Sequence, residues 1–258
     1  MKKPVSFIIT GLLALGSSVC LADDAAASPH SFTANVAVST DYLFRGITQT
    51  TNDPSVSGGM DYSYSGMPIG VFAGVWASNI DFNEGSLGVS NVATLETDFY
   101  GGLTGSLPLG EGMTWKLGGI YYAYPGSNPK PALTVNYDYF EFYGTLNYDF
   151  KTFNVTGGFN YSPDYFAESG EAVYIFGEVG VPLPSDFVLS GHVGHQSIEK
   201  TAAFGTPDYV DWNVGLAKTF GHFTFKVAYV DTDLSKAQCF GGTSFCGSTA
   251  MFTVSSSF

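Results

Sequence analysis

The sequence predicts an all-β fold: a closed antiparallel transmembrane β-barrel of twelve strands, with short periplasmic turns and longer extracellular loops. Three observations predict it. The chain opens with an export signal. The remainder of the chain is poor in charge and rich in aromatic residues and glycine. Runs of about ten residues with alternating polarity recur along it, and their connections alternate between long and short.

The export signal is read first. Lys2 and Lys3 form a basic start, an apolar run extends from Val5 to Leu15, and Val19-Cys20-Leu21-Ala22 precedes Asp23-Asp24. Small side chains at the third-last and last positions suit signal peptidase, which places the cut after Ala22. The alternative makes Cys20 a lipid acceptor, but that chemistry wants a small residue before the cysteine and Val19 is β-branched. The apolar run is too short for a spanning helix with its own stop signal. Residues 1–22 are therefore expected to be a secretory signal, and residues 23–258 a single outer-membrane barrel domain.

Composition then narrows the class. Without Lys2 and Lys3, residues 23–258 carry 8 Lys+Arg against 23 Asp+Glu, a net charge of −15, and Arg45 is the only arginine. Clustered basic side chains are what displace counterions from nucleic acid, so a nucleic-acid partner is set aside. Charged residues make up 13% of the chain, about half of what soluble domains carry. No segment after the signal holds 18 consecutive apolar residues, so no transmembrane helix is expected. A membrane barrel accommodates all of this; a secreted β-sandwich is the competing reading on composition alone.

The runs, in order, are Phe32–Arg45, Val56–Tyr64, Ile69–Phe82, Leu95–Leu107, Trp115–Tyr124, Tyr139–Phe150, Phe153–Tyr161, Val173–Val181, Phe187–Gln196, Val210–Phe220, Phe223–Asp231 and Ala250–Phe258. In the first, Phe32, Ala34, Val36 and Val38 oppose Thr33, Asn35, Ser39 and Asp41. In the sixth, Phe140, Phe142, Leu146 and Tyr148 oppose Glu141, Thr145, Asn147 and Asp149. Period two is the signature of a strand with two different faces. The third run is ambiguous, because Val71 and Val75 compete with Phe72 and Trp76 for the apolar face. Connections at 65–68, 108–112, 151–152, 182–186 and 221–222 are short, whereas those near 46–55, 83–94, 125–138, 162–172, 197–209 and 232–248 are long. A soluble sandwich has no reason to alternate so, and an outer-membrane barrel does. In lipid every backbone N–H and C=O needs a partner, so the sheet must close.

The stretch Ser39-Thr40-Asp41-Tyr42-Leu43-Phe44-Arg45-Gly46-Ile47-Thr48-Gln49 resembles the opening signature of the TorF-like family of proteobacterial outer-membrane porins. In that family Asp-Tyr, one residue, an aromatic, Arg-Gly and a Ser/Thr-Gln pair close the first strand. The likeness continues through Pro54 to Tyr62, Val71 to Phe82 and Leu95 to Gly102, and beyond that rests mainly on strand layout; Ser39-Thr40 is a mild departure. The resemblance implies an outer-membrane barrel of porin type. It brings no settled substrate and no catalytic residue.

Face parity places ten charged candidates in the lumen: Asp41, Asp61, Glu96, Asp98, Glu141, Glu178 and Asp211, with Arg45, Lys116 and Lys226. They make either a hydrated interior whose charges pair off or an acid-lined pore favouring cations, with Glu96, Asp98 and Glu141 making the extracellular vestibule its most negative zone. Arg45 is read as a brace paired with a carboxylate at the end of the first strand, or as a contact for an anionic solute. Tyr100, Tyr122, Tyr124 and Tyr143 are hydroxylated filler or a stacking surface for a sugar or nucleoside. Ser190 and His192 share a face, with His195 nearby, but no third orienting residue is evident, and an enzyme is not expected. Cys239 and Cys246 are expected to form a disulfide stapling the last long loop. No metal motif or phosphate loop appears, so no cofactor is expected. The functional expectation is an outer-membrane porin-like channel for passive diffusion of small hydrophilic solutes, with modest cation preference. The alternative is a non-transporting barrel with a structural or surface-interaction role. Expected partners are outer-membrane lipid, small hydrophilic solutes, and the barrel-assembly machinery through a terminal strand ending in Phe258.

Overall fold

A computed structural model describes residues 28–83, 93–108, 112–127 and 136–258; the expected export signal, residues 1–22, lies outside them. Twelve long strands form the wall: β1 (His30–Ser39), β4 (Ser55–Tyr64), β5 (Gly70–Asn79), β6 (Leu95–Ser106), β7 (Met113–Ala123), β8 (Tyr139–Asp149), β9 (Asn154–Ser162), β10 (Ala172–Leu183), β11 (Phe187–Ile198), β12 (Tyr209–Phe220), β13 (Phe223–Thr232) and β14 (Thr249–Ser257). Two further strands of two residues each, β2 (Leu43–Phe44) and β3 (Ile47–Thr48), pair only with one another. The wall is a closed antiparallel barrel in which each long strand pairs with its neighbours in sequence and β1 closes against β14. The seam extends to the last residue, where Phe258 and Ala34 exchange backbone hydrogen bonds at 2.9 and 3.1 Å. Strands of 9 to 12 residues match what a tilted strand needs to cross a hydrocarbon layer.

The twelve expected runs coincide with the twelve wall strands, with ends differing by up to three residues except in the first run. Alternation predicts that run as one strand to Arg45, but β1 ends at Ser39. The chain then leaves the wall, and the next residues enter the bore as the β2–β3 hairpin. In the ambiguous third run, Phe72 and Trp76 pack on the interior aromatic cluster while Ala73 on the other face is exposed.

The exterior is apolar around the whole circumference. Phe32 is 77% exposed, and Met60, Phe99, Leu117, Phe142, Ile175, Val214 and Val227 are also largely exposed. Each such side chain left in water forfeits roughly 1.5–3 kcal/mol of burial, so this surface belongs in hydrocarbon. The buried groups inside are instead polar or aromatic: Glu96, Asp98, Glu141, Glu178 and Asp211, with Tyr100, Tyr122, Tyr174 and Tyr209. Glycine makes room for these rings. A Cβ at Gly194 would collide with the Tyr174 hydroxyl, and one at Gly74 with the Tyr100 ring.

One end of the barrel carries the short turns and the other the long connections. The last of these, between β13 and β14, holds the Cys239–Cys246 disulfide, with Cα atoms 5.9 Å apart. Both sulfurs lie in a small core with Ile47 and Tyr209, so the loop is tied to the base of the inward hairpin.

Candidate functional site

The site is built around the hairpin that fills the bore. Phe44 pairs with Ile47, leaving Arg45 and Gly46 as the turn. Both have positive φ, 48° and 79°, as a type I′ two-residue hairpin requires. A Cβ on Gly46 would stand 2.5 Å from the Thr232 methyl and 2.9 Å from Asp211 Cβ, so the tip touches the wall at β12 and β13. The base is fastened by Asp41, whose Oδ1 accepts the hydroxyls of Thr48 at 2.6 Å and Thr50 at 2.9 Å. Burial pushes the Asp41 carboxyl above its ordinary range, against the pull of those two hydroxyls.

Arg45 reaches the far wall. Its Nη2 donates to Glu141 Oε2 at 2.7 Å and its Nη1 to Gln196 Oε1 at 2.7 Å, on β8 and β11. The Arg45 and Glu141 side chains are 6% and 1% exposed. The guanidinium lies over the rings of Phe44 and Tyr174, 4.6 and 4.3 Å from their centroids. Glu141 also accepts from Asn160 at 2.8 Å and Tyr122 at 3.3 Å. The arginine bridges two strands rather than forking onto one carboxylate. It is a brace, placed at a hairpin tip instead of the end of a strand. Tyr42, just before the hairpin, donates to Glu96 at 2.6 Å and packs its ring on Trp76.

Among the described residues, two cavities lie on either side of the hairpin, and Phe44 lines both. The outer one, about 380 Å³, is an aromatic cup at the long-loop end whose walls include Tyr124, Tyr137, Tyr139, Phe166 and Phe204. The inner one, about 290 Å³, lies below Arg45 and continues to Thr114 and Asn147 near the short-turn end. Of the expected lumen candidates, Arg45, Asp98, Lys116, Glu178, Asp211 and Lys226 line the inner cavity. Asp61 stands beside it, accepting from Tyr100 at 2.5 Å. Asp41 and Glu96 line neither cavity. The sequence predicts an open acidic vestibule from Glu96, Asp98 and Glu141. All three are instead buried, because Tyr42 and Arg45 fold down onto Glu96 and Glu141.

His192 has a role that its sequence neighbours do not suggest. Its Nδ1 lies 3.1 Å from Glu178 and its Nε2 lies 3.2 Å from Asp211 and 2.7 Å from the Tyr174 hydroxyl. Ser190 donates instead to the Gly215 carbonyl at 3.3 Å, and His195 is on the exposed face, so the three do not converge. Tyr100, Tyr122, Tyr124 and Tyr143 all turn inward. Tyr165, Tyr174, Asn160 and Gln196 complete the site; alternation places Gln196 opposite Leu189 and Val193, but nothing along the chain marks it as a partner of Arg45. The Arg-Gly pair is the local signal that a turn, and not a strand, carries Arg45.

A family model described as "Bacterial protein of unknown function (Gcw_chp)" matches residues 23–258. No curated protein matches the sequence. Among solved structures, the chain is similar to the KdgM porin, with TM-score 0.52 and 7% identity over 88% of this chain and 98% of that one. It is similar to the NanC porin, with TM-score 0.53 and 11% identity over 88% and 99%. It is also similar to an outer membrane channel from Pseudomonas putida F1, with TM-score 0.53 and 11% identity over 93% and 99%. At these identities the likeness is one of fold: the closed barrel of outer-membrane porins. The description of that family states no function and does not name the TorF-like family that Ser39–Gln49 resembles.

Proposed function

We propose that this chain, which belongs to the Gcw_chp family of bacterial proteins of unknown function, is an outer-membrane channel of porin type constricted by its own first loop. Small hydrophilic solutes diffuse through it. The observation that carries the reading is the pair of cavities, one toward each mouth, separated by the Leu43–Thr48 hairpin. The TorF-like signature supports it and acquires a physical meaning here, since those residues are the ones that form the constriction. Outer-membrane lipid covers the apolar exterior, residues 1–22 direct export, and the strand ending in Phe258 is offered to the assembly machinery.

The orientation belongs to the same reading. The long-loop end faces outward and the short turns face the periplasm. An epitope inserted at Thr201 is reached by antibody on intact cells, while one at Gly66 is masked until the outer membrane is opened. The opposite pattern reverses the assignment.

Cation preference is the finer part of the proposal. Seven interior acids face three interior bases, and Arg45 and His192 already engage Glu141, Glu178 and Asp211. Of the acids left over, Asp98 lines the inner cavity and Asp61 stands beside it, and these raise the local cation concentration, an effect that salt screens. KdgM is described in complex with disordered oligogalacturonate; an acid excess opposes so anionic a solute, which points this chain to neutral and cationic ones. Planar-bilayer recording of the purified barrel tests both levels. The expected result is a small conductance with a cation-selective reversal potential in a salt gradient, moved toward zero by Asp98→Asn. A conducting barrel that prefers anions refutes the charge argument alone.

A barrel without transport is the second reading, favoured by the buried bonds that hold the hairpin in the bore. It becomes the better one if no conductance appears even after the hairpin is shortened.

A further inference from the structure

One acid of the inner cavity has a carboxyl oxygen that no donor reaches, although Lys116 and Lys226 line the same cavity. Asp98, on β6, is 1% exposed, it lines the cavity, and no donor reaches its Oδ1 among the described residues. Desolvating a carboxylate oxygen without a partner is costly, and such groups are rare unless something is bound there in use. Arg45 forms part of the same lining, but its donors are committed to Glu141 and Gln196.

The surroundings narrow what could answer it. Directly across the ladder, Asp98 is flanked by Trp76 on β5 and Tyr122 on β7. Phe44, Phe72 and Tyr100 line the cavity with it. A carboxylate beside aromatic faces, with no lysine or arginine paired to it among the described residues, suits an organic cation, whose charge is met by the carboxylate and whose alkyl part lies on the rings. A bare metal ion wants several oxygen or nitrogen ligands, and the described residues contain no group of three His, Cys, Asp or Glu arranged to hold one. The volume, about 290 Å³, is at the lower edge of ligand pockets, which restricts the occupant to a small molecule. Since the lining continues to Thr114 and Asn147, the route in is from the short-turn end.

We propose that the inner cavity is a binding site for a small alkylammonium ion, received by the Asp98 carboxylate beside Tyr100 and Tyr122. The inference goes beyond the channel reading and does not need the barrel to conduct.

Titration calorimetry on the full barrel in detergent tests it, with n-butylammonium as probe and n-butanol and n-butyrate as neutral and anionic controls. Saturable binding of the ammonium alone is expected. Asp98→Asn should weaken it by about tenfold or more, the consequence of losing one charge-assisted hydrogen bond. Phe44→Leu, which keeps every charge, should weaken it several-fold and guards against a folding defect in the Asn variant. No ammonium binding, binding no tighter than butanol, or equal binding by Asp98→Asn overturns the proposal. Conductance of the same preparations separates the two readings. A barrel that binds without conducting defeats only the channel, and one that conducts without binding defeats only this site.

Discussion

Replacing Leu43–Thr48 by Gly-Gly is expected to raise the single-channel conductance several-fold while leaving the barrel folded. The excision is designed on the backbone. Gln49 N–H donates to the Tyr42 carbonyl at 2.7 Å, so the ends of the removed segment are already paired and a two-residue turn can close them. The wall does not depend on the hairpin, because β1 finds its partners in β4 and β14 through its own residues. With Phe44 gone, the aromatic cup and the inner cavity become one space. Gly46→Val should act in the same direction and more weakly. Its positive φ resists a β-branched residue, and a Cβ there has Thr232 and Asp211 within 3 Å, so the tip must leave the wall. Unchanged conductance in the shortened barrel would place the constriction elsewhere.

The wall is legible in the sequence because a strand between two different solvents must alternate, and its alternation survives translation into sequence one residue at a time. That is why Phe99 and Leu103 can be assigned outward and Glu96 and Asp98 inward without coordinates. The same rule misleads at Arg45. Counting parity past Ser39 assumes that the strand continues, and nothing in a period of two announces that a chain has left the sheet. Arg45-Gly46 is a turn signal, but Arg is an unusual occupant of a positive-φ position, and by alternation alone the pair reads as the end of a strand. Phe72 and Trp76 cannot be oriented from sequence because both faces of their run are apolar, and what Trp76 meets inside is Tyr42, from the segment that leads into the hairpin. His192 shows the complementary limit. Its partners Glu178 and Asp211 come from the strands on either side, and Glu178 lies directly opposite it in the register, a relation that depends on strand pairing and not on spacing along the chain.

Arg45→Ala should free the hairpin without removing it. In the closed arrangement the substitution leaves Glu141 buried and without its cation, and breaking a buried pair in this way costs about 3–5 kcal/mol. The barrel wall has an easier escape than unfolding: the hairpin withdraws and water reaches Glu141. The cost therefore falls on the equilibrium between hairpin in and hairpin out, and a shift of that size is about two to four orders of magnitude in population. Single-channel records of Arg45→Ala should show an open probability approaching that of the shortened barrel, whereas Arg45→Lys, which keeps the charge but cannot hold Glu141 and Gln196 at once in a planar fork, should lie between it and wild type. The second half of the argument is the reversal. Adding Glu141→Gln to Arg45→Ala removes the stranded charge, so the hairpin has less reason to stay out and the channel should close again in part. If Arg45→Ala is as closed as wild type, the buried pair does not hold the hairpin. If it opens but the added Glu141→Gln leaves it just as open, the opening comes from lost packing on Phe44 and Tyr174 rather than from the charge left behind on β8.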